Sequence, residues 1–227
     1  MLVQIYEVTT PKEARALSEL GVDHIGILVG DGAFPREQPW TRAAQIAAAV
    51  APPSRVSALF LSADAGAIIA WAAALAPACV HLGAALELLG PADCGRIRAS
   101  LPGIRLMRSI PVTGEAALER ARAYAGVVDF LLLDSHREGD KQIGALGIAH
   151  DWDLSRRIVR SVSVPSILAG GLGPENVVAA IARVAPAGVD SKTNTDIPAT
   201  HRKDVARVRA FVAAAKGAAP ALSGAVS

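Results

Sequence analysis

Ile167 to Val177 reads ILAGGLGPENV, an apolar run that stops at a pair of glycines and resumes, after Gly-Pro-Glu, as a helical pattern. A short strand entering a helix through a tight glycine turn is one βα unit. Outward from this stretch the alternation recurs to both ends of the chain. Strands are expected at about Leu2–Tyr6, His24–Val29, Val56–Leu61, Ala78–Leu82, Ile104–Ile110, Phe130–Asp134, Ser166–Ala169 and Gly188–Lys192. Helices are expected to follow each in turn: Pro11–Leu20, Trp40–Val50, Ala65–Leu75, Cys94–Ser100, Gly114–Ala125, Asp153–Val162, Pro174–Val184 and His201–Ala215. Strands such as LLLDS are apolar on both faces, as a sheet buried on both sides requires. Eight βα units in 227 residues predict an α/β fold, a single (β/α)8 barrel of the TIM-barrel type rather than an open sheet. The barrel is expected over 1–216, with a flexible tail over 217–227 rich in Gly, Ala, Pro and Ser.

Composition narrows the partners. The chain is 52% hydrophobic but its longest Ala-rich stretch, Ala63 to Ala78, is interrupted by Asp64, Gly66 and Pro77, so it predicts a buried helix and no membrane span. A net charge of +2 with 4% aromatic residues leaves no basic stripe or stacking platform for nucleic acid. The two cysteines provide neither a disulfide framework nor a CxxC site, and no metal is expected. The opening MLVQIYEVTT lacks the basic and apolar regions of a secretion signal, so the expected location is cytoplasmic. The expected partner is a small phosphorylated metabolite, bound by a monomer or homodimer without a cofactor.

Barrel chemistry is carried at the C-terminal ends of strands. That rule selects Tyr6 and Glu7, Arg36, His81, Arg108, Asp134, Gly170 and Gly171, and the segment from Lys192 to Asp196. Two glycine-rich turns, IGALG (Gly144 and Gly147) and AGGLGPEN (Gly170 and Gly171), predict close approach of the backbone to a phosphate, aided by a helix expected to start at Pro174. Read plainly, the same glycines only close tight turns. Asp134 ends an otherwise apolar strand, where partial desolvation raises a carboxyl pKa toward general-acid work; it is equally placed to cap a loop. Strand alternation implies that Tyr6 and Glu7 do not both face the interior. His24 and His201 are read as structural.

Several stretches resemble the phosphoribosylanthranilate isomerase family. VQIYEVT at Val3–Thr9 is similar to its K-I-C-G-I-T opening, FPR at Phe34–Arg36 to its S-P-R loop, and FLLLDS at Phe130–Ser135 to the strand bearing its acid. GALGIAHDW at Gly144–Trp152 is similar to G-G-T-G-x-x-F-D-W, and ILAGGLGPENV is close to the family pattern. The resemblance implies acid and base catalysis of an aldose-to-ketose, Amadori-type isomerisation of a phosphorylated sugar or sugar amine in tryptophan biosynthesis. It implies Asp134 as the acid, Arg36 on the anthranilate carboxylate, and Thr193 and Asn194 on the phosphate; His81, Arg108 and Lys192 are expected toward the substrate from their strand-end positions, Lys192 adding a charge that the family's site lacks. The family's Cys and Gly fall on Tyr6 and Glu7, so either of these is the expected base, and the changed base points to a divergent branch. Two other readings are a Schiff-base lyase or aldolase using Lys192, and a non-catalytic phosphometabolite-binding barrel.

Overall fold

The computed structural model describes residues 1–137, 143–144 and 150–218. Eight parallel strands close into a barrel in sequence order: β1 (Leu2–Ile5), β2 (His24–Leu28), β3 (Arg55–Phe60), β4 (Cys79–Leu82), β5 (Arg105–Pro111), β6 (Phe130–Asp134), β7 (Ser166–Leu168) and β8 (Gly188–Ser191). The helices that follow them are α1 (Pro11–Glu19), α2 (Trp40–Ala48), α3 (Ala65–Leu75), α4 (Pro91–Ser100), α5 (Ala116–Ala125), α6 (Trp152–Ser161), α7 (Val177–Val184) and α8 (Val205–Gly217). No helix among the described residues is long and apolar enough to cross a membrane.

Strand alternation divides the core into two layers. Outward residues such as Val3, Ile5, Ile25, Ile27 and Val189 pack with Leu17, Ile46 and Phe211 of the helices. Inward residues, among them Tyr6, Cys79, Met107, Phe130, Leu132 and Ile167, fill the barrel. Gly26 faces inward because Tyr6 crosses it: a Cβ at 26 would lie 2.0 Å from the ring's Cδ1.

Local capping fixes where the helices begin. The Thr10 hydroxyl accepts from the amide of Glu13, whose carboxylate accepts in return from the amide and hydroxyl of Thr9. Asp64, Asp151 and Asp204 cap α3, α6 and α8 in the same way. Three starts differ from expectation by three residues or more. The α4 helix begins at Pro91 rather than Cys94, with Asp93 accepting from the Gly90 amide. The α7 helix begins at Val177, because Asn176 accepts from the Gly173 amide, donates to the Gly171 carbonyl and so holds Pro174–Asn176 as a turn. The α8 helix begins at Val205, because Asp196–Ile197 (β9) and Arg202–Lys203 (β10) pair as a small antiparallel hairpin first. Gly217, expected to open the tail, is the last residue of α8, and residues 219–227 lie outside the described residues.

Candidate active site

The C-terminal mouth of the barrel holds two adjoining hollows. The inner one is lined by Tyr6, Glu7, His81, Ser109, Asp134, Asp190 and Lys192, with Leu59, Leu61, Leu132 and Ile143 as its apolar wall. The second lies against the turns after β7 and β8, lined by Gly170, Gly171, Leu172, Thr193 and Asn194. Asp134, Asp190 and Lys192 line both.

Asp134 ends β6 with its side chain turned inward. Burial pushes its carboxyl up to about 7, against the opposing effect of Ser135, whose amide (2.7 Å) and hydroxyl (3.3 Å) donate to Oδ1. A carboxyl poised there is protonated in a large fraction of molecules at neutral pH and donates a proton readily. Gly144 lies directly against it: its φ is +94°, and a Cβ there would be 2.1 Å from Oδ2. Gly144, expected on the phosphate, is thus brought to the acid, where no larger residue fits. Gly147 lies outside the described residues.

Tyr6 and Glu7 both line the inner hollow, contrary to the alternation argument. The reason is local. The β1 strand ends at Ile5, and Glu7 adopts φ +57°, so the chain turns out of strand geometry and swings the second side chain over the mouth. The resemblance has a glycine at this position, and a left-handed residue is what glycine supplies without strain.

Tyr6 is a neutral phenol. Burial, and secondarily Cys79, push its pKa well above the ordinary value despite the bond to Ser57. Its hydroxyl lies 2.8 Å from Ser57 Oγ and 2.7 Å from His81 Nδ1, while His81 Nε2 lies 2.7 Å from Ser109 Oγ. His81 is driven down to about 3 by burial, with Arg108 adding to the effect, so this buried chain from β3 through β1 and β4 to β5 is uncharged. Tyr6 therefore lacks the means to act as a base near neutrality, and His81 is a member of the packed network.

Glu7 is ionised. Burial opposes its charge, but the hydrogen bonds from Arg36 and the nearby Lys192 outweigh it and lower the pKa. Arg36 Nε (2.5 Å) and Nη2 (3.1 Å) donate to the two carboxylate oxygens, and Lys192 Nζ lies 3.5 Å away. Lys192 also faces Asp196 at 3.3 Å and His201 Nδ1 at 3.2 Å. Beneath them Lys203, with no exposed side-chain surface, pairs with Asp196 at 2.5 Å.

The second hollow has the character of an anion cradle. Gly170 and Gly171 adopt φ +80° and +63°. Among the described residues, the amides of Gly170, Gly171 and Leu172 have no intramolecular acceptor. Asn194 closes the rim by donating to the Gly171 carbonyl at 2.8 Å, and Thr193 sits beside it in a short 3-10 turn. Successive amides without an intramolecular acceptor, next to Lys192, make the kind of backbone nest that can take an anion. The expected helix contribution at Pro174 is replaced by this nest, since α7 starts three residues later.

Comparison with known proteins gives the family. Residues 95–214 match the family model described as N-(5'-phosphoribosyl)anthranilate (PRA) isomerase. The chain is 35% identical over 211 residues to N-(5'-phosphoribosyl)anthranilate isomerase of Methanocella arvoryzae, covering 92% of this chain and 95% of that one. The chain belongs to the phosphoribosylanthranilate isomerase family. The Haloferax volcanii isomerase is 38% identical over 221 residues, covering 95% of this chain and 93% of that protein. A solved isomerase bound to reduced 1-(o-carboxyphenylamino)-1-deoxyribulose 5-phosphate superposes with a TM-score of 0.77 at 25% identity, covering 96% of this chain and 100% of that one.

Set against the family's pattern, one expected substrate residue falls elsewhere. Arg108 is on the outward face of β5, fully buried. Its guanidinium donates to the carbonyls of Leu82 (2.7 Å) and Leu89 (3.2 Å) and lies over the Tyr124 ring, 5.3 Å from its centroid. Only alternate residues of β5 face inward, here Met107 and Ser109, and the register puts Arg108 between strand and helix layer. Asp190 was the main omission. It stands two residues before Lys192 on β8, so a period of two from Lys192 was the available signal.

Proposed function

We propose that the chain is an isomerase of a phosphorylated sugar amine, performing an Amadori-type aldose-to-ketose rearrangement, with phosphoribosylanthranilate as the substrate to test first. The observation that carries this reading is the shared wall of the two hollows: a carboxyl held at about 7, Asp134, stands between a reaction chamber and a nest of free amides. Phosphate in the nest, met by Gly170, Gly171, Thr193, Asn194 and the Lys192 ammonium, sets the sugar ring over Asp134. Asp134 then protonates the ring oxygen as the ring opens. Arg36 is the cation at the opposite rim for an anionic substituent, and Glu7 holds it extended until substrate arrives. Its ion pairs with Arg36 and Lys192 make Glu7 a better positioning group than proton acceptor.

Lys192 stands between two carboxylates, Glu7 and Asp196, which favours a counter-charge over a Schiff-base nucleophile. The test is turnover of phosphoribosylanthranilate by the wild type and by Asp134→Asn. The wild type is expected to isomerise it, and Asp134→Asn to lose about 100-fold to 10,000-fold in kcat. A wild type that binds sugar phosphate and converts none of it would instead identify a binding barrel.

A further inference from the structure

Three polar side chains occupy one layer of the barrel interior on three adjacent strands. Gln4 on β1 is the register partner of His24 on β2 and of Asp190 on β8. Gln4 Nε2 donates to Asp190 Oδ1 at 3.1 Å, and Gln4 Oε1 lies 3.1 Å from His24 Nδ1. Because the amide nitrogen faces the carboxylate, the oxygen is left to accept, and His24 must carry its proton on Nδ1. Burial pushes His24 down to about 4, against the opposing charge of Asp23, so the ring is neutral and serves this role throughout the working range. A ring seated edge-on to Phe130, with centroids 6.0 Å apart, fixes the far end.

The geometry points to Asp190 as the proton acceptor of the isomerisation, held in place by Gln4 and His24 as positioning residues. This rests on the isomerase reading above. Asp190 and Asp134 line the same two hollows from β8 and β6, so a ring bound there meets both carboxyls. Of the other side chains expected to take the proton, Tyr6 is a hydrogen-bonded phenol and Glu7 is bound by Arg36. The side chain that donates to Asp190 is the neutral Gln4 rather than a cation. The groups facing it are Asp134 from β6, Tyr6 and Glu7 past the end of β1, Lys192 just past the end of its own strand and Lys203 of the hairpin. Burial, then the charge of Asp134, push Asp190 up to about 8, while Gln4 opposes this. The two carboxyls titrate as a coupled pair, so near neutrality the pair holds about one proton, and the form with that proton on Asp134 and Asp190 ionised is the one that supplies acid and base together.

The steps balance. The C1–O bond of the ring breaks with its electron pair on oxygen, which takes the Asp134 proton, and the substrate nitrogen shares its lone pair to form an iminium. Asp190 removes the C2 proton, the C–H pair becomes the C1–C2 double bond, and the iminium pair returns to nitrogen. Ketonisation returns the proton from Asp190 to C1 and that of the C2 hydroxyl to Asp134, restoring both groups.

The test uses phosphoribosylanthranilate, with thermal stabilisation by inorganic phosphate as the check that each variant is folded. Asp190→Asn is expected to keep phosphate stabilisation and lose about 100-fold or more in kcat. Gln4→Met and His24→Phe are expected to lose about ten-fold in kcat with KM little changed. Gln4→Met removes a donor to the carboxylate, so Asp190 holds its proton to higher pH and the acidic limb of the rate profile moves up. Substrate deuterated at C2 should show a larger isotope effect in both relay variants, a readout that a purely structural role leaves alone. An active wild type whose Asp190→Asn variant retains kcat within about ten-fold overturns the assignment. If Asp190→Asn does not fold, unchanged kcat, acidic limb and isotope effect in the two relay variants overturn it equally. A wild type inert on this substrate, yet stabilised by phosphate, fails at the isomerase reading itself and takes this assignment with it.

Discussion

Asp134 shows how one side chain is tuned by where its strand stops. One residue earlier in β6 the carboxyl would face the helix layer; at the end of the strand it is desolvated yet reachable from the mouth. Its folded-state pKa, about 7, lies above the ~3.9 of an unfolded chain. Relative to an unperturbed carboxyl it contributes stability that is fully present below about pH 4 and is lost as pH rises through about 7. Asp134→Asn, which never ionises, is therefore expected to stabilise the protein at pH 8 by ~2 kcal/mol, or about 5 °C in Tm, with the gain vanishing by pH 4. Differential scanning calorimetry across that range checks it, and a variant less stable at pH 8 would show that the ionised carboxylate has a favourable partner. Glu7 is the opposite case at the same mouth: its guanidinium partner keeps it charged, so burial alone does not decide protonation.

At the scale of elements, β1 and β2 are fitted to each other through Tyr6 and Gly26. The phenol ring lies where a Cβ at 26 would stand, and its hydroxyl is anchored beyond by Ser57 and His81. Gly26→Ala is expected to cost about 1–3 kcal/mol, because the ring is pinned at its far end and the strand backbone cannot retreat. Combined with Tyr6→Cys, which vacates the ring's volume, the same alanine should cost almost nothing, giving a coupling energy above about 1 kcal/mol in a denaturation double-mutant cycle. Additive losses would mean that the two residues do not share this space. Arg108 makes the complementary point on β5: a charged residue near the mouth in sequence is a helix-layer residue in space, tied to the carbonyls of Leu82 and Leu89.

For the whole molecule, the anion nest joins the turn after β7 to the turn after β8, so its occupant ties the last strands together across the closure of the barrel. Inorganic phosphate at 100 times its Kd is expected to stabilise the wild type by about 2.7 kcal/mol. Gly171→Ala, at φ +63°, should abolish most of that gain by displacing the amides; a Tm gain with phosphate undiminished in this variant would place the anion elsewhere. The sequence by itself determined the βα alternation, the barrel, the buried carboxyl of Asp134 at a strand end and the glycine turn at 170 and 171, because periodicity, glycine turns and a lone polar residue ending an apolar strand are all written in neighbouring residues. The tertiary structure decided what depends on closure and register. Tyr6 and Glu7 share one hollow only because the chain leaves strand geometry at φ +57°. The Gln4 bond to Asp190 spans 186 positions in sequence, and only the ladder between β1 and β8 brings the two into one layer. Local sequence carries the period of each strand, but which strand lies beside which, and at what register, is fixed when the barrel closes and the hydrogen-bonded ladders must pair.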